Sequence, residues 1–549
     1  MCTVRDATFE VMRRHSLTRI FGNPGSTEVP FLTNLPGDID FVMGLHEGAV
    51  VGMATGYALA TGEPQFVNLH TAPGLGNAVN AIANARDIHA PLVIVVGQQD
   101  RTQLHIAPFL TGRALERIAG EYPVWSHFPP TAQDVPGAIA RAYQEARVAS
   151  GPALVVVPMG DWAQPYTGAP AGAPSAVICA DMVSPELLRP LAQRLEQAQA
   201  PVIVTGAGTD SAEGFATVVA LAERLACPVW HEPFSARAGS PEDHRLFAGH
   251  LDWHRRQMRE TLAAHDLVLV LGTKAFQLYI LDEQQPPVAP GTRVAVVTAD
   301  QEEALRSTAA LAVVAPVAAV CRALAEMLPV RPDGGVRTFQ RPGGAAFTLT
   351  PSDEALPMFR RPAPVQPPAT GQPLRSAHVL QLLAQRLPDD AVLVEESPTC
   401  RPEILEWIPT RQPLGFVSNA NGGLGFGFAG AVGLRLALPE RPVVAVIGDG
   451  SAMFGIQALW SAAQYGAGVL LIVMANGAYG VMDAQARERG GEPTWPQFPN
   501  LRIAQIAQGM GCPAVRVETF EQLTDVLLPA LDGLREASAP LLVEVVVAA

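Results

Sequence analysis

A chain of 549 residues is too long for one hydrophobic core, so we expect about three domains. Hydrophobic residues make up 48% of the sequence, but no apolar run approaches the roughly 18 residues of a membrane span, and we expect a soluble protein. The net charge of -14, without any basic run, argues against nucleic acid or an anionic membrane as partner. Six scattered cysteines without a CxxC pair, and no signal-peptide pattern, favour the reducing cytoplasm.

Two stretches rich in Pro, Gly and Ala divide the chain into three blocks. The first stretch runs from Gln164 to about Ser175 and the second from about Arg331 to Pro373. Each block alternates short β-branched runs with helix-like stretches, a pattern typical of parallel sheets covered by helices. The sequence therefore predicts an α/β protein with three doubly wound parallel-sheet domains, which cover residues 1–163, 184–330 and 374–549.

A carboxylate lies at a strand-to-helix junction in the first block. In FVMGLHEGAVVGMATGYALATG, the pattern predicts a strand that ends at His46 and a helix of small residues that begins at Glu47. Taken alone, Glu47 is explained by the positive end of the helix dipole. Its chemical role therefore depends on what the rest of the chain places near it.

The third block contains a strand that ends in the turn GDG, followed by a helix and a second strand. Because the carboxyl ends of parallel strands share one edge of a sheet, we expect Asp449 and Asn476 to lie close together. A carboxylate and an amide oxygen suit a hydrated Mg²⁺ ion. Gly448 and Gly450 would let the backbone approach a phosphate, and the amides of a helix starting near Ser451 would face it. The pattern predicts a metal and diphosphate site.

The GDGS motif and its distance from Asn476 resemble the signature of thiamine diphosphate-dependent enzymes. Longer motifs in the first and last blocks resemble the benzoylformate decarboxylases within that family. They are IFGNPGSTEVPFL (20–32), HEGAVVGMATGYA (46–58), NLHTAPGLGNAVNA (68–81), PLVIVVGQQ (91–99), NGGLGFGFAGAVG (421–433) and ANGAYG (475–480). The resemblance covers nearly the whole chain.

The resemblance implies pyrimidine-binding, middle and diphosphate-binding domains, in that order. It implies thiamine diphosphate and Mg²⁺ as cofactors, and the non-oxidative decarboxylation of a 2-oxo acid to an aldehyde and CO₂, with carboligation as a further activity. It also implies a homodimer or homotetramer in which the cofactor lies between the first domain of one chain and the last domain of its partner. Small 2-oxo acids and aldehydes would be the other partners.

Catalytic roles are implied for four residues. Glu47 would share a proton with the aminopyrimidine ring of the cofactor, and Ser26 and His70 would face the substrate. Tyr279 stands where the benzoylformate decarboxylases have a second histidine. A phenol titrates about three pH units above an imidazole, so Tyr279 would donate a hydrogen bond rather than carry protons at neutral pH.

The implied magnesium ligands are the side chains of Asp449 and Asn476 and the backbone carbonyl of Ala478. Among the implied cofactor contacts, Leu424 would pack against the cofactor and keep it in its bent conformation. The full set of implied contacts is Gly25, Glu47, Asn77, Glu396, Pro398, Thr399, Gly422, Leu424, Gly448, Asp449, Gly450, Ser451, Asn476, Ala478 and Tyr479.

Several positions depart from the benzoylformate decarboxylase pattern. Ser418, Asn419 and Gln485 replace apolar residues, with Asp483 close by, which predicts a smaller or more polar substrate than an aryl 2-oxo acid. An acetolactate-synthase-like enzyme or aldehyde carboligase is the main alternative, and a non-catalytic cofactor-binding relative is the second. The glycine-containing turn in residues 201–210 is weak evidence for a flavin nucleotide.

Overall fold

A computed structural model describes residues 2–168, 176–279, 284–330, 337–339, 347–349, 359–369 and 371–548. Much of the two predicted connections, namely residues 169–175, 331–336, 340–346 and 350–358, lies outside these described residues. Within the described part of the chain, no helix is both long and apolar enough to cross a membrane.

The first domain is a parallel six-stranded sheet with helices on both faces. Its strands are β1 (Arg19–Gly22), β2 (Asp40–Met43), β3 (Gln65–Leu69), β4 (Leu92–Gln98), β5 (Trp125–His127) and β6 (Pro152–Pro158). Its helices are α1 (Val4–Arg14), α2 (Val29–Leu32), α3 (Glu47–Thr61), α4 (Thr71–Asp87), α5 (Leu115–Ile118) and α6 (Val135–Ala149), with 3₁₀ turns at Arg101–Ile106, Ala132–Asp134 and Met159–Ala163. The strand order is β2-β1-β3-β4-β6-β5.

The middle domain has a second parallel six-stranded sheet. Its strands are β7 (Pro201–Thr205), β8 (Val229–His231), β9 (Phe247–His250), β10 (Leu267–Leu271), β11 (Arg293–Thr298) and β12 (Leu311–Val314). Its helices are α7 (Pro185–Gln197), α8 (Ala212–Leu225), α9 (Arg255–Leu262), α10 (Gln301–Arg306) and α11 (Val317–Met327), with a 3₁₀ turn at Ala207–Thr209. The strand order is β12-β11-β10-β7-β8-β9.

An antiparallel pair, β13 (Arg337–Phe339) and β14 (Phe347–Leu349), precedes the third domain. The third sheet comprises β15 (Val392–Glu396), β16 (Phe416–Ser418), β17 (Val443–Gly448), β18 (Leu470–Ala475), β19 (Ala514–Val517) and β20 (Leu541–Val546). Its helices are α12 (Ser376–Arg386), α13 (Arg401–Trp407), α14 (Phe426–Ala437), α15 (Asp449–Gly455), α16 (Ala458–Gln464), α17 (Gly480–Glu488), α18 (Ile503–Gly509) and α19 (Phe520–Asp532). The strands run parallel in the order β16-β15-β17-β18-β20-β19.

The predicted fold class of three parallel α/β sheets is confirmed. The first and third sheets have the same strand order although their sequences show no repeat. Strands such as β4 are buried along their whole length because helices cover both faces, which is why they are rich in Val and Ile. Two element boundaries differ from the prediction. Strand β2 ends at Met43, three residues before His46, and the helix after the GDG turn begins at Asp449 and is split into α15 and α16.

Helices α3 and α14 join the first domain to the third through a contact between small residues. A Cβ atom added to Gly52 would lie 2.7 Å from the Cβ of Ala429, and one added to Gly56 would overlap the carbonyl oxygen of Gly430. This closeness explains why both helices are built from Gly and Ala instead of showing one apolar stripe. The contact fixes how the two sheets face each other.

Candidate active site

Glu47 is the first residue of α3 and is 7% exposed. Its Oε1 accepts a hydrogen bond from Nδ2 of Asn23 (3.1 Å), and its Oε2 accepts one from Nδ2 of Asn77 (3.0 Å). Gly74 on α4 allows this close packing, because a Cβ atom there would lie 3.2 Å from Oε1. Two neutral amide donors therefore hold the carboxyl group in one orientation. Asn77, predicted as a cofactor contact, is thus also a hydrogen-bond donor to Glu47.

His70 precedes α4, and its ring is held by two side chains that the sequence did not single out. Its Nδ1 lies 2.9 Å from Oε2 of Glu28 and 2.9 Å from Oγ1 of Thr27. The Glu28 side chain is fully buried. Burial raises the pKa of Glu28, while the hydrogen bonds from Thr27 and His70 act in the opposite direction. Both contacts are made by Nδ1 of the imidazole, so Nε2 is the ring nitrogen left for another partner.

The turn that carries Ser26 is shaped around the His70 ring. A Cβ atom on Gly25 would overlap that ring, so only glycine fits at this position. Ser26 is exposed next to it. On the other side of His70, Thr71 has a φ of 27°, and its buried hydroxyl has no hydrogen-bond partner among the described residues. Local backbone strain beside a reactive side chain is typical of functional sites.

Asp449 and Asn476 lie at the carboxyl ends of the neighbouring strands β17 and β18. Asp449 is 4% exposed; its Oδ1 accepts from the backbone N–H of Gly450 (2.8 Å) and its Oδ2 from that of Gly477 (2.7 Å). Oδ1 of Asn476 accepts from the backbone N–H of Ala478 (3.1 Å). Burial raises the pKa of Asp449, and the backbone donors oppose that effect. The structure thus brings together all three implied magnesium ligands.

Three turns at the edge of the third sheet surround a space next to this cluster. The atoms nearest to the glycines in these turns show which residues meet there. A Cβ atom on Gly448 would meet nothing closer than the hydroxyls of Ser451 (3.6 Å) and Ser397 (3.8 Å). One on Gly480 would lie 2.9 Å from Thr399, and one on Gly450 would lie 2.6 Å from the ring of Tyr479. Pro398 and Thr399 are exposed in the first turn. These predicted cofactor contacts therefore converge, and Ser397 joins them.

Glu396, predicted as a cofactor contact, binds the start of α14. Its Oε1 accepts from the backbone N–H groups of Gly425 (2.8 Å) and Phe426 (3.1 Å), and its Oε2 accepts from that of Gly427 (3.1 Å). Burial raises the pKa of Glu396 to about 7. Because both oxygens bind the unpaired amides at the start of α14, this carboxyl group caps a helix.

The loop that carries Gly422 and Leu424 is stabilised from two sides. Oδ1 of Asn419 accepts from the backbone N–H of Gly422 (2.9 Å), which has a φ of 76°. The carbonyl oxygen of Leu424 accepts from Nδ2 of Asn80 on α4 (3.1 Å). Leu424 is half-buried. The helix that positions Glu47 through Asn77 therefore also positions the Leu424 loop.

Most of the polar positions predicted to line a substrate pocket are engaged elsewhere. Ser418 is fully buried, and its hydroxyl accepts from Nη1 of Arg401 (2.9 Å). Asp483 is buried and accepts from Nε1 of Trp495 (2.8 Å). Asn419 orders its own loop, and Gln485 is half-buried on α17. Ser418 and Asp483 therefore use their polar groups within the chain, which the sequence could not show because side-chain polarity alone does not tell which way a group points.

Tyr279 lies in the middle domain with 57% of its surface exposed. Its ring packs edge-on against Phe234, with ring centres 5.8 Å apart. Within the described part of one chain it makes no contact with His70 or Glu47, so these three residues are not brought together in one chain.

The glycine turn of the middle domain is explained by packing. The backbone N–H of Gly208 donates to the carbonyl of Gly272 (2.7 Å), and a Cβ atom on Gly208 would lie 2.8 Å from the Cα of Gly272. Asp210, at the end of the turn, accepts from the backbone N–H of Leu414 in the third domain (2.9 Å). Close backbone contact therefore accounts for the glycines without a flavin.

Comparisons with known proteins cover all three domains. The family described as thiamine pyrophosphate enzyme matches with its N-terminal TPP binding domain at residues 2–118, its central domain at 188–324 and its C-terminal TPP binding domain at 403–545. Benzoylformate decarboxylase of Pseudomonas aeruginosa is 39% identical over 99% of each chain. An acetolactate synthase large subunit of Haemophilus influenzae is 24% identical over 94% of this chain and 90% of its own.

Among solved structures, the thiamine diphosphate-dependent 4-hydroxybenzoylformate decarboxylase of Rhodococcus jostii RHA1 superimposes with a TM-score of 0.89. It is 36% identical and covers 100% of this chain and 99% of its own. The chain therefore belongs to the family of thiamine diphosphate-dependent enzymes that includes the benzoylformate decarboxylases.

Proposed function

We propose that this protein is a thiamine diphosphate-dependent decarboxylase that converts a 2-oxo acid to an aldehyde and CO₂. The observation that carries the proposal is the pair of half-sites: a buried, amide-held Glu47 in the first domain, and the Asp449 and Asn476 cluster in the third. Full-length identity of 39% to a benzoylformate decarboxylase supports the same reaction class. Acetolactate synthase relatives match at lower identity, which favours decarboxylation over the carboligase alternative.

The residues present fit the cofactor and its metal ion. Asp449 and Asn476 offer side-chain oxygens, and Ala478 offers a backbone carbonyl, a set that suits Mg²⁺ rather than a softer metal. The space beside Gly448, together with the start of α15, suits a diphosphate group. When bound, thiamine diphosphate supplies the carbon nucleophile and the electron sink for decarboxylation.

The protein side chains orient groups and move protons. Glu47 would exchange a proton with the aminopyrimidine ring of the bound cofactor, and Asn23 and Asn77 hold its Oε1 and Oε2 respectively. His70 exchanges a proton at Nε2 while Glu28 fixes its Nδ1. A proton carrier of this kind is needed when the aldehyde is released.

The substrate class that we propose is a 2-oxo acid with an aryl or other apolar side group. Benzoylformate and 4-hydroxybenzoylformate decarboxylases are the relatives with 39% and 36% identity over the full length. Ser418 and Asp483 are engaged in internal hydrogen bonds, so they no longer argue for a polar substrate. Half-buried Leu424, at the loop next to α4, offers an apolar surface instead.

We further propose that two chains associate so that each cofactor lies between a first and a third domain. Large apolar side chains are exposed beside both half-sites: Leu45 (43%) precedes Glu47, while Phe454 (54%) and Tyr479 (41%) lie near Asp449. A second copy would cover them. A monomeric mass in solution with cofactor and Mg²⁺ present would refute this arrangement. The domain limits 1–163, 184–330 and 374–549, and a cytoplasmic location, remain part of the proposal.

The deciding experiment is a panel of 2-oxo acids given to the protein loaded with thiamine diphosphate and Mg²⁺, with aldehyde and CO₂ measured separately. Benzoylformate should be converted faster than pyruvate, and Glu47→Gln should suppress both products. Product in which two carbonyl compounds are joined, without free aldehyde, would favour the carboligase alternative. Bound cofactor without any product would favour the non-catalytic one.

A further inference from the structure

Two histidines and a glutamate of the middle domain lie close enough together to hold a metal ion, away from the proposed thiamine site. His231 is the last residue of β8 and His250 is the last residue of β9, and these neighbouring parallel strands pair the two residues in register. Residues paired in this way point to the same face of a sheet. Glu242, from the connection between the two strands, reaches the same point. His231 and Glu242 are buried, and the side chain of His250 is 13% exposed.

The distances in this group suit a shared cation. Nδ1 of His231 lies 3.4 Å from Oε1 of Glu242, and Nε2 of His250 lies 3.2 Å from the same oxygen. A charge-assisted hydrogen bond between imidazole and carboxylate is shorter, about 2.7–2.9 Å. Zn²⁺ binds N and O ligands at about 2.0–2.2 Å, and the ligands of a tetrahedral site then lie about 3.4 Å apart. Both distances agree with ligand-to-ligand edges of such a site.

The surrounding hydrogen bonds leave three atoms free to bind one ion. They are Nδ1 of His231, Nε2 of His250 and Oε1 of Glu242. Nε2 of His231 lies 2.8 Å from the hydroxyl of Ser240, which fixes that ring with Nδ1 toward Glu242. Oε2 of Glu242 accepts from Nη2 of Arg361 (3.0 Å) and from the backbone N–H of Thr410 (3.2 Å), so Oε1 is left for the histidines. Such outer partners are the usual means of orienting metal ligands in proteins.

Electrostatics also permit a cation here. Arg237 and Arg401 line the same small cavity, but each is paired with a carboxylate, Asp210 and Glu395 respectively. Arg361 contacts the oxygen of Glu242 that faces away from the histidines. Oε1 of Glu242 is engaged only by the two histidines and keeps its lone pairs for a metal ion.

We propose that His231, Glu242 and His250 bind one Zn²⁺ ion, with a water molecule as the fourth ligand. Two imidazoles and one carboxylate favour Zn²⁺ over Mg²⁺, which prefers oxygen ligands only. Through Glu242 the ion links β8 and β9 to Thr410 and Arg361, and thereby fastens the middle domain to the third domain. The site is independent of the thiamine and magnesium site and of the reaction proposed there.

The test uses the full chain loaded with thiamine diphosphate and Mg²⁺ after removal of other metals. Calorimetric titration with Zn²⁺ in excess Mg²⁺ should give one equivalent per chain. His250→Gln should weaken Zn²⁺ binding at least 100-fold. His254→Gln is the matched control, because His254 lies four residues away and pairs with Asp252 instead. The melting temperature of wild-type protein should rise with Zn²⁺, and that of His250→Gln should not.

A second readout does not depend on how the variant folds. Co²⁺ added to the wild-type chain should give the visible absorption of a tetrahedral site with nitrogen and oxygen ligands, and Zn²⁺ should remove it. Absence of Zn²⁺ binding, an unchanged affinity in His250→Gln, or loss of Zn²⁺ to excess Mg²⁺ would each overturn the proposal. Failure of the decarboxylation assay would not bear on it, because the readouts are binding, absorption and melting temperature.

Discussion

Replacing Glu28 by glutamine removes the charge that orients His70 and keeps the side chain's size. In the wild-type protein, Oε2 of the fully buried Glu28 lies 2.9 Å from Nδ1 of His70 and accepts from the backbone N–H of Gly25 (3.1 Å). In Glu28→Gln, an amide group facing His70 either accepts a weaker hydrogen bond or donates one, and donation would place the imidazole proton on Nε2. A hydrogen bond to a charged group contributes about 1.5–3 kcal/mol, which corresponds to about 10- to 150-fold in rate.

We therefore expect kcat/KM for the 2-oxo acid to fall by one to two orders of magnitude, with cofactor affinity unchanged. The surface change Glu10→Gln, at a residue exposed beside Arg13, is the control and should leave both quantities unaltered. Equal kcat/KM in Glu28→Gln and wild type would refute the positioning role.

The pH profile separates positioning from simple packing. Burial raises the pKa of Glu28, so its protonation on the acid side should begin above the pH at which an ordinary glutamate titrates. Since the ionised form is the stronger acceptor for Nδ1 of His70, kcat/KM should decline as the pH falls through that raised pKa. The acid limb should disappear from the Glu28→Gln profile. If kcat/KM of the variant declined at the same acid pH and by the same factor as in wild type, the decline would be due to another titrating group.

Three further changes test the rest of the site and the fold. Glu47→Gln should bind thiamine diphosphate normally by calorimetry and lose at least about 100-fold in kcat, as removal of a general acid-base group does; wild-type turnover would contradict its role. Asp449→Ala should weaken Mg²⁺-dependent cofactor binding at least 100-fold, because the remaining ligands carry no charge; unchanged affinity would place the metal elsewhere. Gly56→Ala should destabilise the protein by about 1–3 kcal/mol through overlap with the Gly430 carbonyl, whereas Gly509→Ala, with open space around it, should shift the melting temperature little; equal melting temperatures would contradict the helix contact.

The cluster of Asp449 and Asn476, where we propose the metal and diphosphate site, could be predicted because it is local in sequence. Asp449 begins the helix after β17, Asn476 and Ala478 lie in the turn after β18, and parallel pairing of these two strands places Asp449 and Asn476 at one edge. Hydrophobic periodicity was sufficient to predict these elements. The break between α15 and α16 was missed, since residues 456 and 457 do not interrupt the apolar pattern.

Glu28 could not be recognised in the same way, because its burial depends on residues far along the chain. In sequence it looks like a charged residue in a surface turn. In the fold it packs below β4, where a Cβ atom on Gly97 would overlap its carboxyl group, and it meets His70 from the start of α4. Neither neighbour lies within 40 residues. A carboxylate next to a strand end and a small residue on a neighbouring strand would be the signal to look for.

The spacing of asparagines on α4 is a signal that could have been used. Asn77, Asn80 and Asn84 follow each other at intervals of three and four residues, so they lie on one face of the helix. A row of polar side chains on one face of a helix normally indicates that this face is exposed to solvent. Here each of the three asparagines instead forms a hydrogen bond to a different part of the site. Asn77 donates to Glu47, Asn80 to the carbonyl of Leu424, and Asn84 accepts from the backbone beyond β16. Helical spacing thus couples the position of the Glu47 carboxyl group to that of the loop expected to support the cofactor, and α4 sets the distance between them.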